Sequence, residues 1–120
     1  MQNEYRMKSK RDYARVYRHG KSVANFQFVL YWLDQKQYPH FRLGISASKK
    51  IGNAVVRNRM RRLVKEIVRL NGDRLLGSLD IIVIIRKAAV DLKYNELEKS
   101  IFHLYRKAGI VSSFHKKEKI

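Results

Sequence analysis

Apolar residues recur along this chain at two spacings, and the changes between them mark out its elements. Ser9 followed three residues later by Asp12 has the form of a capping box with the shorter acid. Tyr13, Val16 and Tyr17 then repeat at helical spacing up to Gly20, a residue suited to the position just past a helix end. A short first helix is expected there. Over residues 24–33 the pattern becomes aromatic and β-branched, with Phe26, Phe28, Leu30 and Trp32 on one face of a strand and Gln27, Val29, Tyr31 and Leu33 on the other. Both faces carry apolar side chains, so both should be covered. Residues 34–40, with Pro39, read as a polar turn. Beyond it Phe41, Leu43, Ile45 and Ala47 alternate with Arg42, Gly44, Ser46 and Ser48, which predicts a second strand forming a β-hairpin with the first.

Residues 49–53 form a basic loop containing a glycine, and Asn53 is placed to cap a helix running from Ala54 to about Leu70, ended by Asn71-Gly72. Residues 79–86 are almost wholly aliphatic, as in a central strand buried on both faces. Tyr94, Leu97, Ile101, Leu104, Tyr105 and Ala108 share one helical stripe, with Glu96 and Glu98 near the positive end, Arg106 and Lys107 near the negative end, and Gly109 at the stop. The order is helix, two or three strands, helix, strand, helix: an α+β arrangement of one sheet with helices packed on it. A chain of 120 residues has room for one such domain, with frayed ends at about 1–8 and 112–120.

Charge narrows the function more than the pattern does. The chain has 27 Lys and Arg against 10 Asp and Glu, a net charge of +17, well beyond the magnitude of about 2 to 8 usual for a soluble small domain. Such a field repels itself unless a polyanion neutralises it. A bilayer is not called for, because the longest apolar run, 79–85, is broken by Asp80 and is too short to span one. Nucleic acid is the expected partner. No apolar segment of the signal-peptide kind opens the chain, and it has no cysteine for disulfides or for cysteine-containing zinc motifs. Both features suit a cytoplasmic protein.

The helix over 54–70 is the most specific feature. Val56, Met60, Leu63, Val64 and Ile67 cluster on one side, while Arg57, Asn58, Arg61, Arg62, Lys65 and Arg69 form an arc on the other, with Arg59 at the boundary. A merely solvated helix would interleave acids with its bases, but Glu66 is the only acid here. Arginine outnumbers lysine on that arc, which favours bidentate phosphate contact and stacking. Lys49 and Lys50 precede the helix N-terminus, where unpaired N–H groups attract phosphate. Tyr13, Tyr17 and Tyr31 could line a groove and stack on unpaired bases if the first helix crosses the sheet; read from the residues alone, they serve equally well as core residues with a wet hydroxyl. Asp12, Asp34, Asp73, Asp80 and Asp91 form no paired acidic motif, and His19, His40, His103 and His115 have no metal-ligand spacing, so neither group forms a catalytic or metal site.

Residues 46–62, SASKKIGNAVVRNRMRR, resemble the signature of the ribonuclease P protein component, whose Arg-Asn-Arg motif here is Arg57-Asn58-Arg59. The resemblance extends through 19–34, 41–50 and 80–89. It implies a four-stranded sheet in the order αβββαβα, ribosomal-protein-like, with a left-handed crossover. It also implies a subunit that joins a catalytic RNA to remove the 5′ leader of precursor tRNA, that RNA holding the active site and its Mg²⁺, with no protein partner required. Carried over by position, Arg57, Asn58, Arg59, Arg61 and Arg62 would face the catalytic RNA, joined by Lys49, Lys50, Asn53 and Lys65 on the same surface. Tyr13, Tyr17 and Tyr31 match the aromatics of the leader groove. Phe26 departs from the pattern, standing where members often carry a basic residue. Two rival readings of the residues are a non-enzymatic ribosomal-type or architectural nucleic-acid-binding protein, and a protein-only metal nuclease.

Overall fold

The computed structural model describes residues 3–111. In chain order it contains α1 (Lys10–His19), β1 (Lys21–Ala24), β2 (Phe28–Asp34), β3 (Arg42–Ser46), α2 (Ala54–Leu70), β4 (Leu79–Ile85) and α3 (Tyr94–Ala108), linked in places by single 3₁₀ turns. This is the expected αβββαβα order. The basic segment 112–120, expected to fray, lies outside the described residues. The other end differs from expectation from Asn3 onward: Asn3–Tyr5 is a 3₁₀ turn, Arg6 bridges to Leu43, and Met7 is buried with its N–H donating to Leu43 O at 2.9 Å. An apolar Met7 and the open edge of β3 together give this segment a place to dock.

The four strands form one mixed sheet in the order β1-β2-β4-β3, with β3 parallel to β4 and the other pairs antiparallel. The hairpin expected between residues 24–33 and 41–48 is therefore not made. β4 separates them, because a strand aliphatic on both faces is most stable at the centre, with both edges bonded and both faces covered. The true hairpin is β1 with β2. Its turn is set by Asn25, whose Oδ1 accepts from Gln27 N and Phe28 N at 3.0 and 2.9 Å while its N–H donates to Phe28 O. Asparagine offers the backbone this local alternative to continuing a strand.

Strand alternation sends side chains to two layers. Phe28, Leu30, Leu43, Ile81, Val83 and Ile85 pack against Met60, Val64, Ile67 and Val68 of α2 and Leu97, Ile101 and Leu104 of α3, in the larger core. The opposite face meets α1 through Val16, Met7 and Ile82, with Tyr13, Tyr31, Leu33 and Ile84 around them. One face of β2 is thus buried at Phe28 and Leu30, while α1 covers the other only at Tyr31 and Leu33 and leaves Val29 half-buried.

A charged cluster pins α1 to its face. Arg42, 5% exposed, donates through Nε and Nη2 to the two carboxylate oxygens of fully buried Asp80 at 2.9 and 2.8 Å. Arg15 of α1 donates to Asp80 at 2.6 Å, and Asp12 accepts from both arginines at 3.1 and 3.2 Å. Arg42, which the alternation places on the face opposite Phe41 and Leu43, is thus buried with its charge paired. A buried carboxylate demands cations, and Asp80, which interrupts an aliphatic strand, was the signal for it.

Candidate nucleic-acid interface

α2 begins where Asn53 caps it, accepting from Val56 N at 3.0 Å, after a 3₁₀ turn over Lys49–Ile51 whose Ser48 hydroxyl accepts from Lys50 N. Between the two, Gly52 has φ 154°, and a Cβ there would fall 2.9 Å from Val56 Cβ. Glycine is required for that close turn. Lys49, Lys50 and Asn53 are exposed at this end of the helix, as expected of a surface continuous with it.

The basic arc of α2 is largely un-neutralised. Among the described residues its one ion pair is Arg69 with Glu66, at 2.8 Å. Arg57, Arg59 and Arg61 instead donate to the carbonyls of Gly52, Val90 and Ala47 at 3.4, 3.2 and 3.4 Å, which fixes their direction without cancelling their charge. Arg61 also donates to Asn58 Oδ1 at 3.3 Å, and Asn58 and Arg62 are exposed. The arc fans out: Arg61 and Lys65 turn toward the β3 edge, while Arg59 reaches the segment before α3.

The tyrosines lie along α1 on the opposite layer. Tyr17 stands edge-on to Tyr31 at 4.9 Å, and Tyr13 is 6.5 Å from Tyr17. Gly44 makes room for Tyr13: a Cβ on this strand residue would sit 2.6 Å from the Tyr13 hydroxyl. Tyr17 is 40% exposed, and partial burial, then the neighbouring Tyr13 and Tyr31, raise its hydroxyl pKa, so it remains a hydrogen-bond donor at neutral pH. Strand register places Ser22, Tyr31, Ile82 and Gly44 in one row under this helix and Ala24, Val29, Ile84 and Ser46 in the next. That second row, exposed at Ala24 and half-buried at Val29, Ile84 and Ser46, is open beside α1 and would floor a groove there. Its β3 end meets Arg61 at Ala47 O, and its β1 end meets Lys107, whose Nζ donates to Ala24 O at 3.0 Å.

The two expected surfaces therefore adjoin. Tyr13, Arg61 and Lys65 line one small cleft of about 140 Å³ together with Arg6, Met7, Leu43 and Ile45. Arg6 and Lys107 were not anticipated as members of the site, because only the register and the docked N-terminal segment bring them there. Asp12 and Asp80 are drawn together on the α1 face, and Arg15 and Arg42 occupy their oxygens. These side chains do not fit a Mg²⁺ ion.

Comparison with known proteins assigns the chain to a family. A family model described as Ribonuclease P matches residues 1–109. The ribonuclease P protein component of Bacillus cereus (strain AH187) is 41% identical over 110 residues, covering 92% of this chain and 96% of that protein. The chain belongs to the ribonuclease P protein component family. Among solved structures, the Staphylococcus aureus RNase P protein aligns with a TM-score of 0.83 at 42% identity, over 90% of this chain and 98% of that one. The Thermotoga maritima RNase P protein aligns with a TM-score of 0.76 at 30% identity, over 84% and 96%. As a ribonuclease P protein component, the chain is the protein part of a ribonucleoprotein endoribonuclease and associates with an RNA subunit. No helix among the described residues is long and apolar enough to cross a membrane.

Proposed function

We propose that the two surfaces divide the work: the α2 face with Lys49, Lys50 and Asn53 grips the catalytic RNA, and the groove along Tyr13, Tyr17 and Tyr31 takes the 5′ leader of precursor tRNA. The observation that carries this reading is the set of arginines on α2 held by carbonyls and without acid partners, one of which, Arg61, shares a cleft with Tyr13 of the tyrosine row. Carbonyl-anchored guanidiniums suit phosphate contact and fix register on a folded RNA. An exposed Tyr17 and the half-buried Tyr13 and Tyr31 beside a fringe of cations suit an unpaired strand, whose bases stack while its backbone is neutralised. Mg²⁺ and the hydrolytic chemistry belong to the RNA on this reading, since Asp12 and Asp80 are committed to arginines. The chain's own part is to orient the leader and so promote endonucleolytic 5′ maturation.

Two sets of substitutions test the division. Arg57, Arg59 and Arg62 changed together to alanine should weaken assembly with a bacterial ribonuclease P RNA, each lost phosphate contact flattening the log–log salt slope by roughly 0.7 to 0.9. Tyr17 and Tyr31 changed to alanine should leave assembly near normal and weaken precursor tRNA by about 1 to 3 kcal/mol per lost base stack, with mature tRNA little affected. Circular dichroism melting checks the fold of both. Equal loss of precursor and mature tRNA by the tyrosine variant would show the rings to be packing residues and remove the groove from the proposal.

A further inference from the structure

Phe26 is the one exposed phenylalanine among the described residues, at 75% of its full accessibility. A single exposed apolar residue is ordinary on any surface, so exposure alone decides nothing. The mounting is what distinguishes it. Around Phe26 the β1–β2 turn is tied down on every side: Asn25 Nδ2 donates to Ser100 O and Ser100 Oγ at 3.0 and 2.9 Å, Ser100 Oγ donates to Gln27 Oε1 at 2.9 Å, and Arg86 N donates to Gln27 O at 2.9 Å. The neighbours on both sides are spent on holding the turn to α3 and β4, and the ring alone is left projecting.

Two cations stand at the same turn. Arg86 Nη1 donates to Asn25 O at 3.1 Å and Lys107 Nζ to Ala24 O at 3.0 Å, and neither is within ion-pair distance of an acid among the described residues. Ala24, two residues before Phe26, is also the β1 end of the groove floor formed with Val29, Ile84 and Ser46. The turn thus stands at the β1 end of that row and carries an exposed aromatic ring, with two full positive charges anchored on the carbonyls of the two residues before it. A ring offers an unpaired base its π-face, and cations anchored beside it can meet the strand's phosphates.

We propose that Phe26 is a base-stacking residue for single-stranded RNA, receiving one nucleobase of the 5′ leader where that strand leaves the groove over Ala24. The inference rests on the leader-groove reading above and extends it to a residue outside the tyrosine cluster. Stacking is tolerant of base identity, so the contact adds affinity without demanding a particular nucleotide.

The test uses the holoenzyme reconstituted with a bacterial ribonuclease P RNA, and compares wild type, Phe26→Ala and Phe26→Trp on precursor tRNA with a long leader, on mature tRNA, and in assembly with the RNA. Phe26→Ala should weaken the precursor at least about fivefold, the lower end of what one base stack contributes, while mature tRNA and assembly stay level and Phe26→Trp retains full affinity. Abasic substitutions walked along the leader should reveal one position whose loss weakens wild type as much as Phe26→Ala does and weakens the variant no further. Unchanged precursor affinity in Phe26→Ala, equal loss on mature tRNA, loss confined to assembly, or no coupled leader position would each overturn the proposal. The Tyr17 and Tyr31 variant separates the two failures: if it discriminates against the leader and Phe26→Ala does not, only Phe26 is wrongly assigned, whereas if neither discriminates, the groove itself is.

Discussion

Tyr105 lies in the last turn of α3 with its side chain fully buried, edge-on to Phe102 at 5.4 Å, and its hydroxyl has no hydrogen-bond partner among the described residues. Burial raises its pKa above the ordinary value of 10.0. The native state therefore holds this proton at pH values where the unfolded chain releases it, so folding stability falls as pH rises past about 10, by up to about 1.4 kcal/mol per pH unit while the difference persists. Tyr17 and Tyr94, whose pKa values are also raised chiefly by burial, act in the same direction. Tyr105→Phe removes the ionisable group and an unpaired polar atom while keeping the ring. At pH 7 the variant should match wild type within about 1 kcal/mol or exceed it, because deleting an unsatisfied buried hydroxyl is close to neutral or favourable. Its alkaline loss should be shallower. Urea unfolding at pH 7 and pH 11 checks both; a loss of several kcal/mol at pH 7 would mean that the hydroxyl is bonded in solution.

Between elements, the decisive contact is the Arg42, Asp80, Asp12 and Arg15 cluster that seats α1 on the sheet and thereby sets the tyrosine row. Hydrogen bonding to Asp80, and to a lesser degree to Asp12, raises the pKa of Arg42, so Arg42 stays charged whatever happens to its partners. Asp80→Ala consequently leaves a buried guanidinium with only Asp12 for compensation, and should cost about 3 to 5 kcal/mol in denaturant unfolding. Replacing Arg42 with Met and Asp80 with Leu together should recover part of that loss, since no unpaired charge remains. A double variant no better than Asp80→Ala would show that the cluster's value lies in positioning rather than in charge balance. The sequence showed that Asp80 needs a cation but not which one, since Arg42 and Asp80 are 38 positions apart and the parallel pairing of β3 with β4 that brings them together is non-local. The same ignorance of pairing produced the wrong hairpin. What local patterning does carry was readable: the Asn53 cap, the two faces of α2, the aliphatic run of β4, and Gly109 in the left-handed conformation at the end of α3. The candidate site divides along the same line. The α2 arc follows from one helix's periodicity, whereas Tyr13 over Gly44, Arg6 at the β3 edge and Lys107 at the groove end depend on how separate elements meet.

At the scale of the whole molecule, a net charge of +17 on 120 residues makes the free protein and its complex respond to salt in opposite senses. The acids are few, and two of them, Asp12 and Asp80, serve internal arginines rather than offsetting the surface. Cations on α2, at the β1–β2 turn and along the groove therefore face one another across a modest body with little to screen them, and their repulsion lowers the stability of the uncomplexed fold. Added salt shortens the Debye length from roughly 30 Å at 0.01 M to about 8 Å at 0.15 M and relieves that repulsion, so the Tm of the free protein should rise over this range. RNA does the same work by contact. Its binding displaces condensed counterions, and with about six or more phosphates neutralised the affinity should fall with salt at a log–log slope of roughly −4 or steeper. Measured side by side by thermal melting and by RNA titration in one buffer series, stability should climb as affinity drops. A Tm indifferent to salt would mean that the cations are spaced too widely to repel. An affinity indifferent to salt would mean that the RNA does not sit on them, and the arginine face of α2 would lose its assignment.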